Sequence, residues 1–382
     1  MKMRSIMAVL LACCMLLPMT AFAAEAGTDV DLNQLAASYM EEIPEAAFGG
    51  MYYNESGQLV VNVKENSAVD IAVPFSDDVV VETVQYSLAE LEAMKDCFEP
   101  YMQEYHIATL DANEVKNTVV IEVTKEDGGI YTLIENIDGV DADIVKVEVL
   151  PEDQVIESTV KYCDEIELGE IPEEFADLYE NAGRAAAVTI YPGMKIYFEQ
   201  ASGYGQLTSG PRYSSTTFCS AGHGIYMGKT TAYCTTVTGG ITSYSSIGTA
   251  NSYTFGASGD RSFIRVSGTT SLPSSNSFLG KTGKYTISPN GITGTAVEMW
   301  GSNSGITSGK ITATNMTVTV DGTSVGGLSK ASYTCQGGDS GGGVFSSGVS
   351  TDSSGYCYGV QSAGTSKNSA GVYQISYFSP IS

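Results

Sequence analysis

The sequence predicts an acidic α+β unit over residues 24–184 followed by an all-β unit over residues 185–382. Charge is the first sign. Residues 25–184 hold 7 Lys/Arg and 38 Asp/Glu, net −31, whereas residues 185–382 hold 10 and 6, net +4. Glycine runs the opposite way, with 9 residues before Ala185 and 33 from there on, and Ser and Thr crowd the same second half. The third sign is a change of hydrophobic period, from mixed helix and strand to short runs punctuated by Gly, Ser, Asn and Pro. The whole chain of 382 residues is long enough for two cores, and its net charge of −25 repels nucleic acid phosphates, so nucleic acid is not expected as a partner.

Residues 1–23 stand apart as a secretory signal peptide. Lys2 and Arg4 precede the apolar run Ile6–Met19, and Ala21-Phe22-Ala23 supplies the small residues that signal peptidase needs. A lipid anchor at Cys13 would leave too short an apolar run before the cysteine. No later stretch has the ~18 apolar residues of a membrane span, so a secreted, extracellular product without stable membrane association is expected. In the acidic unit, residues 57–63, 117–123 and 143–149 are β-branched runs bounded by turn residues, each a predicted strand. Between the first two, Ser87 and Glu90 have capping-box spacing. Leu88, Leu91, Met94, Phe98, Met102 and Tyr105 then recur at helical intervals, predicting a helix from Leu88 to about Tyr105. The second unit shows no sustained helical period. Its many short runs, among them RSFIRV, KYTIS, TAVEMW and YCYGVQSAG, predict a sandwich or barrel.

This second unit contains one histidine, His223, in CSAGHG, so acid–base chemistry near neutral pH must use that imidazole or a shifted carboxylate. A zinc site of the H-E-x-x-H kind is impossible there. Ser340 lies in GGDSGGG, where glycines let backbone N–H groups converge on a forming oxyanion and leave the approach of a carbonyl open. The α/β-hydrolase order of serine, acid, histidine fails because no histidine follows Ser340. The order histidine, acid, serine remains. Among the intervening carboxylates, Glu298 reads as a solvated strand residue and Asp321 as part of a hairpin turn, whereas Asp260 stands at the start of an apolar strand and is the best acid by position.

AGH at 221–223, GDRSFIRV at 259–266 and GGDSGGGVF at 337–345 resemble, in that order, the three catalytic blocks of chymotrypsin-like serine proteases. The resemblance is closest to the secreted bacterial branch of streptogrisins and alpha-lytic protease. Residues 294–312 and 359–364 are similar to that branch's Gly-Ser-x-Thr-Gly strand pair and substrate-binding strand, and residues 48–63 to the start of its propeptide. Two departures stand out: Gly224 follows the histidine where a cysteine is usual, and Gly343 replaces a proline.

The resemblance implies a trypsin-like double six-stranded antiparallel β-barrel preceded by an α+β propeptide. It implies a serine endopeptidase made as a proenzyme, acting on protein or peptide substrates as a monomer without cofactor or metal. Ser340 would be the nucleophile, His223 the general base and Asp260 the residue that orients it, with the N–H groups of Gly338 and Ser340 as oxyanion hole. Thr334, Gln336, Ser362, Ala363 and Gly364 would bind substrate. With no aspartate in the floor, Tyr333 to Gln336, hydrophobic or small side chains are expected in the pocket rather than Lys or Arg. Asp339 would order the serine loop through an ion pair. The four cysteines of this unit allow three connectivities, and the resemblance favours Cys219 with Cys234 and Cys335 with Cys357, leaving Cys97 and Cys163 in the acidic unit. A glycine-rich barrel should fold slowly, and the resemblance implies that the acidic unit catalyses folding and afterwards inhibits. The competing readings are a protease-like binding protein without catalysis, an acyltransferase using the same site, and, for residues 25–184, a mere acidic solubility tag.

Overall fold

The computed structural model describes residues 32–381 apart from 68, 70–76, 152–153, 167–170, 177–187, 227, 239–240, 279, 282, 289–290 and 352. The signal peptide and the junction at residues 184/185 lie outside the described residues.

Helix α1 (Leu32–Glu42) packs on a small sheet in which β1 (Phe48–Tyr53) is antiparallel and β3 (Val79–Val84) parallel to β2 (Leu59–Lys64). Tyr39, Ile43, Met51, Leu59 and Val61 form its core. Helix α2 (Leu88–Asp96) starts at the expected capping box, in which Ser87 and Glu90 satisfy each other's backbone N–H. It ends earlier than the periodicity predicts. Pro100 brings no N–H to continue the ladder, and the chain turns through one 3-10 turn, Glu99–Tyr101, with Phe98 and Met102 still buried. Strands β4 (Ile107–Asn113) and β5 (Thr118–Val123), helix α3 (Gly128–Asn136) and β6 (Val145–Val149) complete a second layer, β4 antiparallel and β6 parallel to β5. The alternating apolar residues of the strands meet Leu91, Met94, Phe98, Ile130 and Ile134 from the helices. Two short strands follow, β7 (Glu157–Ser158) and β8 (Lys161–Cys163).

The second unit is built from two closed rings. The first comprises β9 (Lys195–Glu199), β10 (Tyr204–Thr208), β12 (Thr217–Ser220), β13 (Thr231–Thr238), β14 (Ile241–Gly256) and β15 (Gly259–Val266), with β11 (Arg212–Ser214) beside β12. Pairing runs β10-β9-β13-β14-β15-β12. The ring shuts where Gly210 N donates to Cys219 O at 2.8 Å and Cys219 N to Pro211 O at 2.9 Å. One helical turn, α4 (His223–Tyr226), follows β12. The second ring comprises β17 (Ala296–Gly301), β18 (Gly305–Val320), β19 (Thr323–Ala331), β21 (Gly343–Ser346), β22 (Gly355–Lys367) and β23 (Val372–Pro380), with β16 (Tyr285–Ile287) and β20 (Cys335–Gln336) flanking it. Pairing β17-β18-β19-β23-β22-β21 returns to β17, a six-stranded antiparallel barrel with no free edge in the ring. Ile196, Phe198, Leu207, Phe218 and Ile264 fill the first barrel, and Val297, Met299, Ile311, Tyr333 and Phe378 the second.

The acidic unit is bound into this body by strand pairing. β4 pairs with β18, β7 with β22 and β8 with β10. Val160 and Phe175, which precede the composition boundary, are buried in the cluster that runs from the first barrel to residues of the second, Phe175 with its ring centroid 5.7 Å from that of Trp300 on β17.

Three expectations need correction. None of the six cysteines among the described residues forms a disulfide. Cys219 and Cys234 sit on β12 and β13, three strands apart either way round a ring of six, and such facing walls stand about 10 Å apart, too far for a disulfide. Cys335 packs in the second-barrel core and Cys357 in the other cluster, and Cys335 Sγ accepts instead from Gln361 Nε2 at 3.2 Å and Ser376 Oγ at 3.1 Å. Glu298, read as solvated, is buried, because its carboxylate accepts from Ser350 N at 2.6 Å, Ser350 Oγ at 2.8 Å and Trp300 Nε1 at 3.1 Å. Asp339 has no ion-pair partner among the described residues, and its actual partners are given below. Asp321 and Gly322, both with positive φ, make the two-residue turn between β18 and β19.

Candidate active site

His223, Asp260 and Ser340 meet between the barrels, although 37 and 117 residues separate them in pairs. His223 opens the turn after β12. Its neighbour Gly222 approaches β14 so closely that a Cβ there would fall 1.9 Å from Thr254 O, and only glycine lets the chain lie where the N–H groups of residues 222 and 223 both reach Asp260. Each donates to Asp260 Oδ1 at 2.8 Å. Asp260 Oδ2 faces His223 Nδ1 at 2.5 Å and accepts from Ser362 Oγ at 2.5 Å. The carboxylate is fully buried, which by itself raises its pKa. The charge of His223 and the hydrogen bonds from His223 and Ser362 outweigh burial and hold it below the ordinary value. Asp260 therefore stays an acceptor that fixes the imidazole with Nε2 outward. That Nε2 lies 2.8 Å from Ser340 Oγ.

The serine loop is shaped by Asp339. Its buried carboxylate accepts from the backbone of Asn303 at 2.9 Å, Ser304 at 3.1 Å and Gln336 at 2.9 Å, and from the Ser304 hydroxyl. Three backbone donors and a hydroxyl do the work that an ion pair was expected to do, and burial pushes this carboxyl up. Gly338 adopts φ +99°, a region closed to most side chains, which aims its N–H in the same direction as that of Ser340.

The chain's own residues 156–163 lie across this site. Gly338 N and Ser340 N donate to the carbonyl oxygen of Thr159, at 2.6 and 3.2 Å. Thr159 N donates to Ser362 O at 3.1 Å, Ser158 pairs with Ala363, and Glu157 pairs with Gly364. On the other side of Thr159, Lys161–Cys163 pair with Tyr204–Gln206. Of the residues expected to bind substrate, Ser362, Ala363 and Gly364 line this segment. Thr334 and Gln336 serve the architecture, Thr334 O accepting from Thr307 Oγ1 at 2.7 Å and Gln336 N donating to Asp339.

Sequence reasoning missed Gln361 and the segment itself. The buried Gln361 Nε2 donates to Ala363 O at 2.8 Å and stands 3.4 Å from Thr159 Oγ1, while its Oε1 accepts from Tyr333 OH at 2.6 Å. Together Gln361 and Tyr333 place a hydrogen-bonded floor beneath a short side chain. A glutamine directly after the apolar run YCYGV was a legible signal of a buried polar role.

No family model matches the sequence, and no curated protein matches it. Among solved structures, the chain is similar to Thermobifida fusca protease A, with 28% identity over 50% of this chain and 92% of that one and a TM-score of 0.38. It is also similar to Cellulomonas bogoriensis chymotrypsin, with 25% identity over 50% and 91% of the two chains and a TM-score of 0.36. A third similar structure is an alpha-lytic protease homolog, N4, with 18% identity over 50% and 93% and a TM-score of 0.38.

Proposed function

We propose that the chain is a secreted serine endopeptidase made as an inhibited proenzyme. The observation that carries this is the set of distances around one oxygen and one hydroxyl: a peptide carbonyl receives two N–H groups beside a serine whose Oγ is 2.8 Å from an imidazole held by a buried carboxylate. His223 Nε2 takes the proton as Ser340 Oγ attacks the substrate carbonyl carbon, and returns it to the departing amine, leaving an acyl-enzyme that water hydrolyses by the same route. Asp260 stabilises the imidazolium formed in between. The N–H groups of Gly338 and Ser340 receive the oxyanion, a contribution of about 3 kcal/mol per donor in comparable sites.

Residues 156–163 fill the cleft in the manner of a substrate strand and so inhibit. Ion pairs that cross between the acidic unit and the barrels, Lys330 with Glu122 at 3.1 Å and Lys367 with Glu157 at 3.2 Å, support an electrostatic share in that inhibition which salt weakens. The Gln361–Tyr333 floor supports a preference for short side chains before the scissile bond. Ser340→Ala tests the assignment: hydrolysis of casein or a peptide ester and labelling by a fluorophosphonate should both vanish while folded chain persists. Full activity in that variant would refute the reading. An active-site serine that never labels, even after the acidic unit is removed, would favour a protease-like binding protein.

A further inference from the structure

The geometry points to the Thr159–Val160 peptide bond as the bond by which the chain processes itself, 25 residues before the change in composition at residue 184. The inference rests on the reading of the site as a serine endopeptidase. Any extended segment could block a cleft, but this one is seated for reaction. The Thr159 carbonyl oxygen is held by both candidate oxyanion donors at 2.6 and 3.2 Å, and the Thr159 N–H is fixed to Ser362 O at 3.1 Å. Strand pairing on both sides, through Glu157–Ser158 and through Lys161–Cys163, fixes the direction of the chain through the site. The side chain beneath is a threonine, short enough for the floor made by Gln361 and Tyr333, and its Oγ1 lies 2.9 Å from Ser340 Oγ.

The step balances with water alone. Ser340 Oγ bonds to the Thr159 carbonyl carbon as its proton passes to His223 Nε2. The C–N bond then breaks, the electron pair leaves on Val160 nitrogen, and His223 delivers the proton there. Water, deprotonated by His223, adds to the Thr159–Ser340 ester, and Ser340 Oγ leaves with that proton. The products are a carboxylate at Thr159 and an amine at Val160.

Both ends then stay in place. On the amine side, Lys161–Cys163 remain paired with Tyr204–Gln206, and Phe175 remains buried against Trp300 of β17. On the carboxylate side, the acidic unit remains joined through β4 to β18. The processed enzyme thus begins at Val160, with Lys161–Cys163 as a strand on its first barrel and Phe175 buried against Trp300. Cleavage yields a nicked, still inhibited complex, and activity appears only when the acidic unit departs.

The test is made on the full chain from residue 24, purified and incubated, then analysed by intact mass and N-terminal sequencing under denaturing conditions. Fragments 24–159 and 160–382, the latter starting Val-Lys-Tyr, are expected, formed at a first-order rate unchanged by tenfold dilution. Ser340→Ala should stay a single chain. Val160→Pro, which leaves Thr159 and its floor untouched, should lose this cut. In the same preparations, after the acidic unit is removed, fluorophosphonate labelling and peptide hydrolysis report on the protease reading separately. Labelling with a mature terminus at residues 185–188, a cut at 159/160 that persists in Ser340→Ala, or a rate proportional to concentration would each overturn the bond assignment while leaving the protease in place. Absence of labelling and hydrolysis together would overturn both.

Discussion

Glu114 makes the fit between the acidic unit and the barrels depend on pH. Its side chain is buried at the join, where Oε1 accepts from Thr293 Oγ1 at 2.6 Å across 179 residues of sequence. Burial raises the carboxyl from its ordinary 4.5 to about 7, the Thr293 hydrogen bond pulling it down and the charges of Asp111 and Glu92 pushing it further up. The folded value exceeds the unfolded one, so the folded chain holds the extra proton. That stabilisation is complete below about pH 4.5 and is lost as pH rises through about 7. The difference corresponds to about 3 kcal/mol. Glu114→Gln stays neutral and keeps an oxygen for Thr293. In a Ser340→Ala background, which keeps the chain in one piece, urea unfolding should give equal stabilities for parent and variant at pH 4.5. At pH 8 the variant should be more stable by about 3 kcal/mol. Asp111, whose carboxyl burial also raises, titrates in both proteins and leaves the comparison except through its coupling to Glu114. A gap that is the same at both pH values, or a variant that is less stable at pH 8, would refute the reasoning.

Asp339→Ala strands three part-buried backbone donors and a hydroxyl, at about 1 kcal/mol each, and should lower unfolding free energy by several kcal/mol, whereas Asp339→Asn, which keeps one acceptor oxygen, should lose less; equal losses would show that the carboxylate does not hold the loop. Gln361→Ala removes the floor beneath Thr159, and a peptide library should shift by about tenfold toward Leu, Met or Phe before the cut; an unchanged profile would place the floor elsewhere. The Ser340→Ala chain from residue 24, denatured without reductant, should show six titratable thiols, and the native chain should react first at the half-buried Cys97 and Cys163, because burial pushes the thiols of Cys219, Cys234, Cys335 and Cys357 up. Two or four thiols in the denatured chain would restore the disulfides.

Signals carried by neighbouring residues were legible in the sequence. The β-branched runs became β2, β5 and β6, the Ser87–Glu90 box starts α2, and Asp-Gly at 321–322 turns β18 into β19, since each depends on backbone preferences within a few residues. Pro100 was legible too, and its missing N–H explains why the helical pattern outran the helix. The order of His223, Asp260 and Ser340 was legible because the second unit has a single histidine and few carboxylates, whereas the chemistry expected of it came from the resemblance of the three blocks. What surrounds these residues was decided by closure of the barrels. Glu298 becomes a buried acceptor, Asp339 finds backbone donors rather than a cation, and Cys219 lies across the first barrel from Cys234 because distant strands set which groups meet. The occupant of the cleft is the extreme case. Thr159 reaches Ser340 from 181 residues away, and nothing in its local sequence marks it, because a segment pairs with an edge through main-chain hydrogen bonds that every residue but proline can make.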